Sequence, residues 1–113
     1  MKKLILVSTA LMLSVFTQFA TAKTDTVRVM TTAVCDMCKE RIEHDLSFEK
    51  GIKSSNLDLK SKMVTVVYNP KKTNVQKIRE AITRVGYDAD SLKANEKSYD
   101  KLPECCKRDV QPH

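Results

Sequence analysis

Tryptophan is missing from the 113 residues, glycine occurs only twice and proline only three times, and neither histidine, His44 or His113, adjoins a cysteine. These shortages exclude several functions. The basic residues are interspersed with acidic ones, and no aromatics are interleaved among clustered lysines, so nucleic acid is not a partner this chain is built for. The formal charge of +6 reads instead as a solvated surface, with electrostatic docking to an acidic protein patch as the lesser reading. No apolar run is long enough to span a bilayer: the stretch from Leu4 to Phe19 is interrupted by Ser8, Thr9, Ser14, Thr17 and Gln18 and falls short of the ~20 residues a span needs.

That stretch has another use. Lys2 and Lys3, the apolar run and Ala20-Thr21-Ala22 have the layout of a secretory leader cleaved before Lys23. No cysteine lies near that point, which argues against a lipid anchor. Cleavage takes the net charge from +6 to +4 and leaves 91 residues, enough for one small domain over residues 23–92 and a polar tail over residues 93–113. The expected location is periplasmic or secreted.

Thr26 to Val34 alternates as a strand, with Val27, Val29 and Thr31 on one side. Met37 to Phe48 switches to helical spacing, with Cys38, Ile42 and Leu46 on one narrow face. Ile52–Leu59 and Met63–Tyr68 read as a hairpin about Lys60-Ser61-Lys62, closed by Asn69-Pro70. Thr73 is a plausible cap for a second helix carrying Val75, Ile78, Ile82 and Val85, and Gly86 suits its end. Tyr87 to Leu92 would add a last strand. The order β-α-β-β-α-β predicts an α+β, ferredoxin-like fold, a four-stranded antiparallel sheet with both helices on one face.

Four cysteines are present, as Cys35-Asp36-Met37-Cys38 and Cys105-Cys106. The first pair falls where strand spacing gives way to helix spacing, with Cys38 opening the helix. Unpaired backbone N–H groups and the positive helix end there favour thiolate. The polar neighbours Asp36, Lys39 and Glu40 argue for exposure. Two thiolates without a nearby histidine suit an ion content with few ligands, Cu(I) or Hg(II), better than zinc, which asks for four. Thiol–disulfide exchange is the rival reading. It lacks its usual setting: there is no tryptophan, and Pro70 is the only proline between the first pair and the tail.

Cys35-Asp36-Met37-Cys38, the run Gly51 to Pro70 with its Tyr-Asn-Pro close, and Ile78 to Ala89 with its Gly-Tyr together resemble the heavy-metal-associated domain, the family of copper chaperones, metal-pump N-terminal domains and a periplasmic mercury-binding protein. The resemblance covers residues 26–91. It implies a non-catalytic carrier or scavenger with Cys35 and Cys38 as ligands and Cu(I) as the foremost ion, ahead of Hg(II), Zn(II) or Cd(II). It also implies a metal-transporting P-type ATPase or other membrane transporter as partner, and a monomer or a metal-bridged dimer. Tyr87 would lie near the metal loop, and Met37 is more a packing residue than a third ligand. Lys39, Arg41 and Lys71 are candidates for steering a partner. Ala33 stands where the family commonly has a methionine, which puts loop rigidity and ion preference in question.

The tail changes character, with a short helix expected near Asn95–Leu102 and with Tyr99 and Leu102 set to pack on the domain. A fourth strand would carry the chain roughly 20 Å from the metal loop. Lys93 to Cys105 can span about 40 Å, so a return is feasible. Cys105 and Cys106 then add sulfur ligands to the same ion, hold a second ion, or form a tail disulfide within or between chains; between adjacent residues such a bond is strained.

Overall fold

A computed structural model describes residues 23–107; the leader read at residues 1–22 and the chain end at residues 108–113 lie outside them. The order is β1 (Asp25–Met30), α1 (Asp36–Ser47), β2 (Ile52–Asp58), β3 (Met63–Tyr68), α2 (Val75–Val85), α3 (Glu96–Asp100) and a 3-10 turn at Glu104–Cys106. The strands pair antiparallel in the order β1-β3-β2, with Met30 opposite Met63 and Leu57 opposite Val64.

Alternation gives the sheet one apolar face. Val29, Leu57, Val64 and Val66 are buried on it, and the helices cover them with Cys38, Ile42 and Leu46 from α1 and Ile78, Ala81 and Ile82 from α2. Each fully buried Ile or Leu contributes roughly 1.5–3 kcal/mol. The i+4 stack expected on α1 is the one that is buried. Lys39 and Glu43 of α1 fasten the helix to β2: Lys39 Nζ donates to Leu57 O at 2.8 Å and Leu57 N–H donates to Glu43 Oε1 at 3.2 Å.

Several boundaries differ from the sequence reading: β1 ends at Met30 rather than running to Val34, and the tail helix spans Glu96–Asp100 rather than Asn95–Leu102. Helix α1 begins one residue earlier, with Cys35 as its N-cap. Asn74, not Thr73, caps α2, because its Oδ1 accepts from Lys77 N–H at 2.9 Å while Thr73 is folded into the turn through a bond from its N–H to Asn69 O. The expected strand over Tyr87–Leu92 is reduced to isolated bridges, Thr31 with Ala89 and Ala89 with Leu92.

Asp90 explains that last difference. Its φ of 52° turns the chain back on itself, and Ala89 and Leu92 exchange N–H···O bonds of 3.0 and 2.9 Å. The carboxylate takes over from a strand: Met30 N–H donates to Asp90 Oδ1 at 2.9 Å, Asp90 N–H donates to Met30 O at 2.8 Å, and Arg79 Nε holds the other oxygen at 2.8 Å. The chain therefore does not run to the far end of the sheet. Helix α3, capped by Asn95 Oδ1, packs against the end of α2, where Asn95 N–H also donates to Thr83 O at 3.0 Å.

Candidate metal centre

The loop between β1 and α1 is held from both sides. Thr31 donates twice to Lys62 O, from N–H at 2.8 Å and from Oγ1 at 2.9 Å, and its oxygen accepts from Ala33 N–H at 3.2 Å. On the other side Asp88 N–H donates to Thr32 Oγ1 at 3.1 Å. Ala33 is fully buried beneath the loop.

Cys35 is extended at φ −150° and ψ 169°, and its carbonyl accepts the first helical bond from Lys39 N–H. No side chain caps this helix end. The cysteine thus stands where Ser or Asp oxygens usually receive the orphan N–H groups, a place suited to a negatively charged sulfur. Cys38 follows in the first turn, and its Sγ lies 3.2 Å from Cys35 Sγ without a disulfide. The expected exposure holds only in part: Cys35 is half-buried, but Cys38 is fully buried. Asp36 and Glu40 are exposed on other faces of the same helix, so polar neighbours in sequence say little about the sulfur between them.

Other sulfurs join from the tail. Cys106 Sγ lies 3.6 Å from Cys35 Sγ and 3.9 Å from Cys105 Sγ, and Cys105 Sγ lies 4.0 Å from the Met37 thioether. Cys106 is buried, whereas Cys105 and Met37 are exposed at the rim. Burial first, then the adjoining Cys38 thiol, pushes the Cys106 pKa up, against a smaller lowering by the Tyr87 hydroxyl.

Tyr87 is the largest fully buried side chain. Its hydroxyl makes no well-formed hydrogen bond, although it faces Cys38 and Cys106; burial, and then those two thiols, push its pKa upward. Tyr87 and Met37 both adjoin the sulfurs, Tyr87 from the buried side and Met37 from the exposed rim. His44 is an exposed neighbour of Asp45 and Phe48, away from the sulfurs. Lys39 is engaged with β2, and Lys71 follows the end of β3 opposite the loop, which leaves Arg41 as the exposed steering candidate on α1. Thr32 and Asp90, which with Thr31 hold the loop, carry no local signal in the sequence, and Thr31 stands there only as an inward strand position.

Residues 29–88 match the family model of the heavy-metal-associated domain. Among curated relatives, a copper-exporting P-type ATPase of Staphylococcus saprophyticus is 34% identical over 59 residues, 52% of this chain and 7% of its own length. That of Bacillus subtilis is 36% identical over 53 residues, 47% of this chain and 7% of its own. The chain thus spans less than a tenth of these relatives. Among solved structures, a CopZ metallochaperone superposes with a TM-score of 0.56 at 27% identity, covering 57% of this chain and 98% of its own. Oxidized MerP from Ralstonia metallidurans CH34 gives a TM-score of 0.57 at 23% identity over 60% of this chain and 96% of its own, a likeness of fold. The matched segment takes in the end of β1, the cysteine loop, both long helices, β2, β3 and Tyr87, and it covers more than half of the sequence: the chain belongs to the heavy-metal-associated domain family.

Proposed function

We propose that this protein is an exported, non-catalytic carrier or scavenger of a soft thiophilic ion, Cu(I) foremost and Hg(II) next, held by Cys35 and Cys38. The observation that carries the reading is the pair of unbonded sulfurs 3.2 Å apart at the start of α1, on a loop anchored by Thr31 and Thr32. Similarity to copper-exporting ATPases and to a CopZ metallochaperone favours copper as cargo and a metal-transporting ATPase domain as donor or acceptor. Export rests on the leader pattern of Met1–Ala22. Transfer would proceed by thiolate exchange: a partner's cysteine bonds to the ion as Cys35 or Cys38 leaves it, with no free ion and no change of oxidation state.

Anaerobic Cu(I) titration against a chromogenic chelator, with native mass spectrometry of the reduced protein, tests this. Copper should bind tightly, and Cys35→Ser/Cys38→Ser should abolish tight binding. Insulin reduction should stay at background. Rapid insulin turnover without copper affinity would instead favour thiol–disulfide exchange.

A further inference from the structure

The second cysteine pair lies outside the matched segment of residues 29–88, yet the fold brings it to the first. We infer that Cys105 and Cys106 are metal ligands, joining Cys35 and Cys38 in one thiolate cluster that the C-terminal tail closes over a soft ion. The inference rests on the proposed carrier function and adds a ligand set to it.

Geometry is the first support. The sulfurs of Cys35, Cys105 and Cys106 all lie within 4.8 Å of one another, and Cys35 also touches Cys38. With metal–sulfur bonds of about 2.3 Å, two thiolates on opposite sides of an ion stand about 4.6 Å apart, and tetrahedral neighbours about 3.8 Å. Cys38, Cys35, Cys106 and Cys105 follow one another at 3.2, 3.6 and 3.9 Å, and Cys35, Cys105 and Cys106 are the three that lie within mutual reach of one centre. Cys35 is the shared member, between Cys38 on one side and the tail pair on the other.

The second support is the Tyr87 hydroxyl, buried, without a well-formed hydrogen bond, and facing thiols from both pairs. A buried hydroxyl left in that condition is costly, and an ion-bound thiolate is the acceptor it lacks.

The third is that the tail is positioned by contacts of its own. Leu102 is buried, Asn95 bonds to Thr83, and Gly86 leaves room for α3: a Cβ there would come within 3.0 Å of Ser98 O and 3.1 Å of Leu102 Cγ. Cys106 N–H donates to Pro103 O at 2.8 Å, fixing the turn that turns its sulfur inward. A cysteine can fill a core as a small apolar residue, but such packing gives no reason for an exposed second thiol beside it. Cys105, at the rim with Met37, is the sulfur an incoming thiolate meets first. On ligation each thiol gives its proton to solvent, and nothing is oxidised.

X-ray absorption of the reduced, Cu(I)-loaded protein counts its sulfur ligands and needs no variant. About three to four sulfurs per copper are expected, falling to two in Cys105→Ser/Cys106→Ala, with copper affinity at least about tenfold weaker in that variant. Circular dichroism confirms that the variant is folded, and Cys105→Ser/Cys106→Ser serves as a second form. Two sulfurs in the unsubstituted protein overturns the cluster and leaves the Cys35/Cys38 carrier standing. No copper bound by the unsubstituted protein, or undiminished binding by Cys35→Ser/Cys38→Ser, overturns both.

Discussion

Tyr87 and Cys106 make the site's character measurable one side chain at a time. The tyrosine hydroxyl gains little in the free protein, since it is buried with no well-formed bond. Tyr87→Phe should therefore leave thermal stability within about 1 kcal/mol of the parent while weakening copper binding, as chelator competition on the same samples would show. Burial raises the Cys106 pKa and so favours its protonated thiol in the free protein. If it ligates the ion, that proton must leave, so apparent affinity should climb by about tenfold per pH unit for each proton released between roughly pH 6 and 8. A pH-independent affinity would deny Cys106 a ligand's part. CxxC and Gly-Tyr are local patterns and so are legible in the sequence. The burial of Cys38 is not, because it depends on Tyr87 and Cys106, which reach it from distant parts of the chain.

At the level of elements, two caps separate local from tertiary effects. Asn74→Ala removes the acceptor for Lys77 N–H and should lower stability by about 1 kcal/mol without touching copper binding, as denaturant melts and titration would report. Gly86→Ala does more. At φ 117°, with Ser98 and Leu102 against it, any side chain is strained and pushes on α3. A loss of about 1–3 kcal/mol is expected, together with weaker copper binding as the tail loosens. Periodicity made β1, β3 and both long helices legible. The shortened last strand was not, because Tyr87–Leu92 reads as a strand and only the bonds of Asp90 to Met30 and Arg79 show the turn that replaces it. That turn also decides where the tail begins, and a full fourth strand would have sent it away from the loop.

Taken whole, the described chain is a small sheet-and-helix domain with its tail folded back onto its own loop. Ion at about one hundred times its dissociation constant should stabilise the protein by about 2.7 kcal/mol, raising the melting temperature by roughly 10–20 °C. If the tail supplies ligands, amide exchange at Tyr99 and Cys106 should slow on loading along with that of α1. Slowing confined to α1 would mean that the ion ignores the tail. The fold class was legible from the order of elements, but the meeting of Cys35 with Cys106 across 71 positions was not, since nothing local encodes so long a closure. Among the described residues no strand lies outside β1, and only its Met30 end is tied down on that side, by Asp90. A foreign β-segment could lengthen the sheet along that open margin, and the exposed cation of Arg28 stands there as the deterrent.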